Sequence, residues 1–294
     1  MDVGIVRVAE DQDFAKLKEL IDNHTSWKLE YNKGSTKVWT KSVSGTSFKM
    51  IKDTSYLFQI RSIFSDVSPV QMYDVLHDPE YRKVWDQHML ESHDIGCLNP
   101  NNDVGYYAMS CPAPLKNRDF VLQRSWLDTG QEQYILNHSV YHKDFPPRRG
   151  LIRARSFLTG FLVRTSGDVG CELGYVSQTD PQGTLPPWIV NRITQIFAPK
   201  VSQDRPGNCL SALQADLQFF MVKKLLKASR GYPQWKQDNN PNWKPWHYPE
   251  QITAPRITVH DCVKSAAEKS VHYVDETGID DHNLVTYMNE ADSD

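Results

Sequence analysis

Arg82 and Asp86 stand four residues apart in Tyr81-Arg-Lys-Val-Trp85-Asp86, a run that reads as helix, so their side chains share one helix face. Taken alone, such a pair is a surface ion pair worth about 0.3–0.5 kcal/mol. Tyr107, Phe120 and Phe157 fall in three predicted strands, where an aromatic ordinarily belongs to the core. Lys223, Lys224, Lys227 and Arg230 crowd a helical stretch beside Leu225 and Leu226. They make either a solvated face or a contact for an anionic membrane, worth about 1 kcal/mol per basic residue near the surface. His77, His88 and His93 lie close together but at no common metal-ligand spacing, and they read as ordinary, partly exposed histidines. No GxSxG elbow, HExxH pair or phosphate-binding P-loop occurs. The glycines of Asp103-Val-Gly105 and Gly167-Asp-Val-Gly170 belong to turns that open no helix, so they cradle no phosphate. The sequence marks no catalytic residue and no metal ligand.

Composition narrows the classes further. The 33 basic and 36 acidic residues of the 294 give a net charge of −3, without the basic excess of a nucleic-acid binder. Five cysteines, at 97, 111, 171, 209 and 262, form no CxxC and are odd in number, which argues against a zinc site or disulfide framework and fits a reducing compartment. The N-terminus has no basic region followed by an apolar run, and no apolar stretch approaches the roughly 20 residues of a membrane span. A cytoplasmic protein is expected. Eight Trp, thirteen Tyr and eleven Phe supply large apolar area, enough to line a ligand cavity as well as a core.

The elements that must position these residues follow from periodicity. Phe14, Leu17, Leu20 and Ile21 predict a helix over 11–23, with Asp11 and Asp13 suited to its first turn. Short strands follow at 27–31, 37–41 and 56–64. Residues 66–86 read as helix, capped by Ser68, begun at Pro69 and broken in two at Asp78-Pro79. From 89 to 180 the chain reads as strands at 89–97, 103–110, 118–128, 132–142, 151–165 and 170–179, the pattern of an antiparallel meander. Pro186-Pro187-Trp188 opens a helix to about Phe197, and another helical stretch covers 209–229. The acidic end beyond 251 is expected to lack fixed structure. The natural packing is a strongly curved sheet wrapped around a long C-terminal helix, with space between the two.

Several runs resemble the START (StAR-related lipid transfer) family, in particular its phosphatidylcholine-transfer-protein subgroup. They are Tyr81 to Asp86, Asp103-Val-Gly-Tyr-Tyr107, Pro114-Leu-Lys-Asn-Arg118-Asp119, Phe145-Pro-Pro-Arg148, Leu185-Pro-Pro-Trp188-Ile-Val-Asn191 and Tyr232-Pro-Gln-Trp235-Lys236, in family order and spacing across about 11–251. The resemblance implies an α+β helix-grip fold enclosing a lipid cavity, with domains 1–10 (N-terminal tail), 11–251 (lipid-binding domain) and 252–294 (acidic tail). Within the domain, Val201–Met221 interrupts the subgroup's pattern, and its Pro206-Gly207 is expected to break the C-terminal helix.

The same resemblance assigns roles. Arg82 would meet the lipid phosphate inside the cavity beside Asp86, a use that suits a planar guanidinium. Tyr107, Phe120 and Phe157 occupy positions that are aromatic around the quaternary ammonium in a choline-binding relative. Pro114, Leu115 and Lys116, in the loop from Cys111, would form a lid with the C-terminal helix, and Lys223, Lys224 and Lys227 would meet the membrane. The implied protein is a monomeric carrier without cofactor. It holds one phosphatidylcholine or phosphatidylethanolamine and visits membranes peripherally. A non-transferring lipid sensor and a grip-fold enzyme remain the alternatives.

Overall fold

The computed structural model describes residues 2–43, 55–111, 115–183, 209–265, 274–276 and 278. Among these residues ten strands join one sheet: β1 Lys28–Lys33, β2 Thr36–Val43, β3 Ser55–Phe64, β4 Met89–Asn99, β5 Asn102–Met109, β6 Asn117–Asp128, β7 Glu132–Ser139, β8 Leu151–Arg153, β9 Arg155–Ser166 and β10 Gly170–Asp180. Their spatial order is β1-β2-β3-β10-β9-β7-β6-β5-β4, antiparallel throughout, while short β8 runs parallel to β6 off this path. Four α-helices accompany them among the described residues: α1 Asp11–Asp22, α2 Pro69–His77, α3 Pro79–Trp85 and α4 Cys209–Asp238.

Local chemistry explains the helix boundaries. Ser68 accepts from the Gln71 amide and Pro69 sits in the first turn of α2. Asp78 ends α2 and caps α3, accepting from the Glu80 and Tyr81 amides, with Pro79 in the first turn. The Asp78-Pro79 break expected from the sequence is therefore a shared cap.

Antiparallel partners share a face, so the register states what lies inside. Val38, Ile60, Tyr175, Phe161, Ile135 and Trp126 are successive cross-strand partners and make one row across β2, β3, β10, β9, β7 and β6. This inner face packs on Met72, Tyr73, Val75 and Leu76 of α2 and on Val222, Leu225, Ala228 and Tyr232 of α4. The outer face carries α1 through Phe14, Leu17 and Ile21, against Leu57, Tyr134, Leu136, Leu162 and Val176. Gly160 and Gly174 make that approach possible, because a Cβ at either position would collide with Leu17 or Ile21.

Buried carboxylates fasten the C-terminal region to the first helices. Asp74 accepts from Lys244 Nζ at 2.6 Å, Trp246 Nε1 at 2.7 Å and His247 Nε2 at 2.8 Å. Burial would raise this carboxyl, but the three donors outweigh it and hold Asp74 below its ordinary range. Asp78 accepts from Tyr232 at 3.0 Å and Lys236 at 2.8 Å. These bonds fix α4 against α2 and α3, and hence the width of the grip.

Four expectations change. The strand foreseen at 151–165 divides at Ala154, because β8 pairs with β6 while β9 pairs with β7 and β10. The change of partner is anchored by Ala154 N–H on Asp119 O and by Arg153 on the Asp119 carboxylate. The C-terminal helix runs on to Asp238 through Pro233. Of the interrupting segment, 209–221 continue without a break into the rest of α4, while 201–208, with Pro206-Gly207, lie outside the described residues. The helix expected from Pro186 also lies outside them.

The fourth change concerns the tail. Residues 252–265 are not without structure: they lie along the β4 edge, where Cys97 N–H donates to Pro255 O at 2.8 Å and Ile257 N–H to Cys97 O at 3.1 Å. Cys262 is buried with Val6, Ile95, Val104, Val121 and Val140. An edge strand presents unpaired backbone groups, and this segment satisfies part of that edge.

Candidate functional site

Asp86 is the C-cap of α3, and its backbone N–H donates to Arg82 O. That turn aims both side chains at the inner face of β5. Tyr107 donates its hydroxyl to Asp86 Oδ2 at 2.9 Å. Phe120, in register with Tyr107 on β6, holds its ring centroid 6.4 Å from the tyrosine's. The Arg82 guanidinium lies 5.2 Å from the Trp85 ring centroid, donates from Nη2 to Leu76 O at 3.0 Å, and stands 3.9 Å from Asp86 Oδ2 through Nη1. At that separation the carboxylate orients the cation electrostatically without saturating its donors. Burial, with Asp86 beside it, pushes the Tyr107 phenol far up, so the hydroxyl remains a donor.

The inner face near this cluster is only partly covered. Gly105, Tyr107, Met109, Leu122, Thr159 and Phe161 all remain half-buried on inward positions, although α2 and α4 cover the same side of the sheet. Most of these groups are apolar, and at its rim stands a cation with donors to spare. Such a face suits a ligand with an apolar body and an anionic group.

The structure therefore assembles Arg82, Asp86, Tyr107 and Phe120. Phe157 is half-buried on β9, and among the described residues no ring contact joins it to Tyr107 or Phe120. Leu115 is half-buried and Lys116 exposed at the start of β6, while Pro114 lies outside the described residues. Lys223 and Lys227 are exposed on α4, and Lys224 donates to Gln87 Oε1 at 3.0 Å, which places the basic stretch next to the turn after Asp86.

Sequence reading missed a second charged pair. Asp103 and Arg124 are cross-strand partners four residues along from Tyr107 and Phe120, joined by two hydrogen bonds. Burial raises the Asp103 carboxyl against the pull of Arg124, and Arg124 stacks 5.2 Å from the Trp126 ring. Opposite charges 21 residues apart carry no local signal. Among the described residues, no group of three or more His, Cys, Asp or Glu is arranged to hold a metal ion. No helix there is long and apolar enough to cross a membrane.

A concave antiparallel sheet gripping a C-terminal helix, with an apolar inner face and a cation at its rim, defines a helix-grip ligand-binding protein. The chain belongs to the START domain family, which it matches over residues 7–212. It is 38% identical to mouse START domain-containing protein 10 over 274 residues, 93% of this chain and 85% of that protein. Human phosphatidylcholine transfer protein is 26% identical over 178 residues, 58% of this chain and 82% of that one. The crystal structure of human STARD10 superposes with a TM-score of 0.73 at 38% identity, covering 90% of this chain and 97% of that one.

Proposed function

We propose that this protein is an intracellular phospholipid carrier that binds one phosphatidylcholine or phosphatidylethanolamine between sheet and α4 and exchanges it between membranes without chemical conversion. The observation that supports it most is the half-buried apolar inner face ending at Arg82, held by Asp86 and Tyr107. Arg82 takes the phosphate, and the aromatic faces of Tyr107 and Phe120, with Phe157 further along, take the ammonium end. A relative named as a phosphatidylcholine transfer protein points to the same ligand class.

Magnitudes favour a carrier that encloses its cargo. A two-chain lipid buries roughly thirty CH₂ groups, so leaving a bilayer for water costs about 24 kcal/mol. An apolar cavity offsets that cost and leaves little net difference from the bilayer. Selectivity then rests on head-group contacts, and exchange rate on opening the grip. The carrier domain is proposed to span about 11–251, to act as a monomer, and to meet membranes transiently through the loop at Leu115–Lys116 and the basic face of α4.

The test combines native mass spectrometry of the purified protein with vesicle-to-vesicle transfer. One intact phospholipid per chain and catalytic transfer are expected. A bound lipid without transfer would make the protein a sensor, and lysolipid or free fatty acid above a heat-killed control would make it an enzyme.

A further inference from the structure

Arg118, at the start of β6, is buried in a ring of acceptors drawn from separate parts of the chain. Its Nη1 donates to Lys116 O at 2.6 Å, its Nε to Pro181 O at 3.2 Å, and its Nη2 to Gln182 O at 3.3 Å and to Glu276 Oε2 at 2.6 Å. The two charged side chains are 3% and 1% exposed. The second carboxylate oxygen of Glu276 accepts the Lys116 amide at 2.9 Å. One carboxylate thus ties the C-terminal segment to the β5–β6 loop, while its guanidinium partner ties both to the end of β10. Gly183 completes the fit: its φ is +77°, and a Cβ there would lie 2.9 Å from Val274 O. The backbone of the C-terminal segment passes where only glycine leaves space.

A fully buried ion pair is costly to form, and loss of either partner leaves an uncompensated buried charge. This pair contributes to none of the three apolar clusters. It lies two residues from Phe120, on the same inward-facing alternation of β6, at the Tyr107–Phe120 end of the inner face. The same position is next to the loop expected to act as lid.

We propose that Val274–Glu276 is an autoinhibitory strap, latched by Glu276 on Arg118, which holds Leu115–Lys116, the residues that lead into β6, against the end of β10 and must release for lipid to exchange. The proposal rests on the carrier reading above. Release frees the Lys116 amide and the Arg118 guanidinium together, because both bonds end on one carboxylate. Cys111 reports on it: its backbone N–H donates to Asn117 Oδ1 at 3.0 Å, and its half-buried thiol lies in the field of both Arg118 and Glu276.

The experiment uses the full chain with vesicles of phosphatidylcholine, phosphatidylethanolamine and phosphatidylserine. In the wild type, hydrogen exchange at 115–119 and at 274–276 should rise together on adding vesicles. Glu276→Gln keeps the shape and removes the charge, so transfer should accelerate on the order of ten-fold, the factor one charge-assisted hydrogen bond supplies. Alkylation of Cys111, mapped by mass spectrometry, should accelerate in parallel. A folded Glu276→Gln protein that transfers no faster than an active wild type would overturn the latch and leave the carrier reading standing. Continued protection of both segments in the wild type during active transfer would overturn it even if the variant failed to fold. Absence of transfer by the wild type would remove the carrier reading instead, and the latch with it.

Discussion

Tyr107 and Asp86, 21 residues apart, are joined by a 2.9 Å hydrogen bond that ties the middle of β5 to the C-cap of α3. The bond fixes one carboxylate oxygen, and that oxygen faces Arg82. The cation at the rim of the inner face is thus oriented from the sheet, although it is carried by a helix.

Arg82→Ala should weaken phosphatidylcholine and phosphatidylethanolamine together, by about 1.5–3 kcal/mol, the range of a hydrogen bond to a charged group. Tyr107→Phe keeps the ring but frees Asp86, and should produce a smaller loss of the same kind. Competitive loading from mixed vesicles, read by lipid mass spectrometry, measures both. Undiminished loading in Arg82→Ala would return the residue to a surface ion pair.

Head-group choice should depend on the aromatic faces. Choline presents only methyl groups to a ring, whereas ethanolamine has three N–H donors that rings satisfy poorly. Phe120→Leu and Phe157→Leu should each cost phosphatidylcholine roughly 0.5–2 kcal/mol and leave phosphatidylethanolamine nearly unchanged. Phe120 should give the larger effect because its ring adjoins Tyr107. An unchanged lipid ratio in variants that circular dichroism shows to be folded would make both plain core residues.

Acid should destabilise the fold well above the carboxylate range. His77, His138 and His142 are buried, and burial holds all three below the ordinary 6.5, His77 furthest. Neither ring nitrogen of His77 has a hydrogen-bond partner, and the ring sits among Tyr73, Trp126 and Trp246. The unfolded chain therefore takes up protons near 6.5 that the native state refuses. The stability these residues give is complete above that pH and falls as pH drops from 6.5 toward their folded values. His77→Phe should flatten the slope by up to about 1.4 kcal/mol per pH unit. Urea unfolding at several pH values between 5 and 7.5 measures it, and an unaltered slope would show that His77 is not the titrating group.

A chain ending at Gln251 should be markedly less stable. It loses the β4-edge bonds of Pro255 and Ile257, the buried Cys262 and the 2.6 Å Lys143–Asp261 pair. The midpoint of thermal unfolding should fall by roughly 5 °C or more. A chain ending at Ser265 keeps these contacts and removes the acidic end from Asp275 onward. It should be more stable than the chain ending at Gln251, below the full chain because Arg118 loses Glu276, and should bind anionic vesicles better. Equal vesicle binding by the two would show that the acidic end does not restrain membrane contact.

Much of the candidate site could be read locally. Arg82 and Asp86 are one helical turn apart, so helix periodicity alone puts them on one face. Asp78-Pro79 announces the cap between α2 and α3 because capping depends on residues within one turn. The alternation of β5 and β6 marks Tyr107 and Phe120 as candidates for the inner side. The split at Ala154 was not legible, since β8 takes its partner from a strand more than thirty residues away.

The sequence by itself determined most of the order of elements up to residue 180, apart from the split at Ala154, and the motif set that resembles the START family, while it stopped the C-terminal helix short of Asp238. Propensity, capping and alternation act over a few residues, and family motifs are strings. Only the tertiary structure decided that Tyr107 holds Asp86, that Asp103 meets Arg124, that 252–265 line the β4 edge, and that Glu276 reaches Arg118 across 158 residues. Each of these is a pairing of groups that cannot remain buried alone. Its partner is chosen by the register and curvature of the whole sheet, and no short stretch of chain encodes that choice.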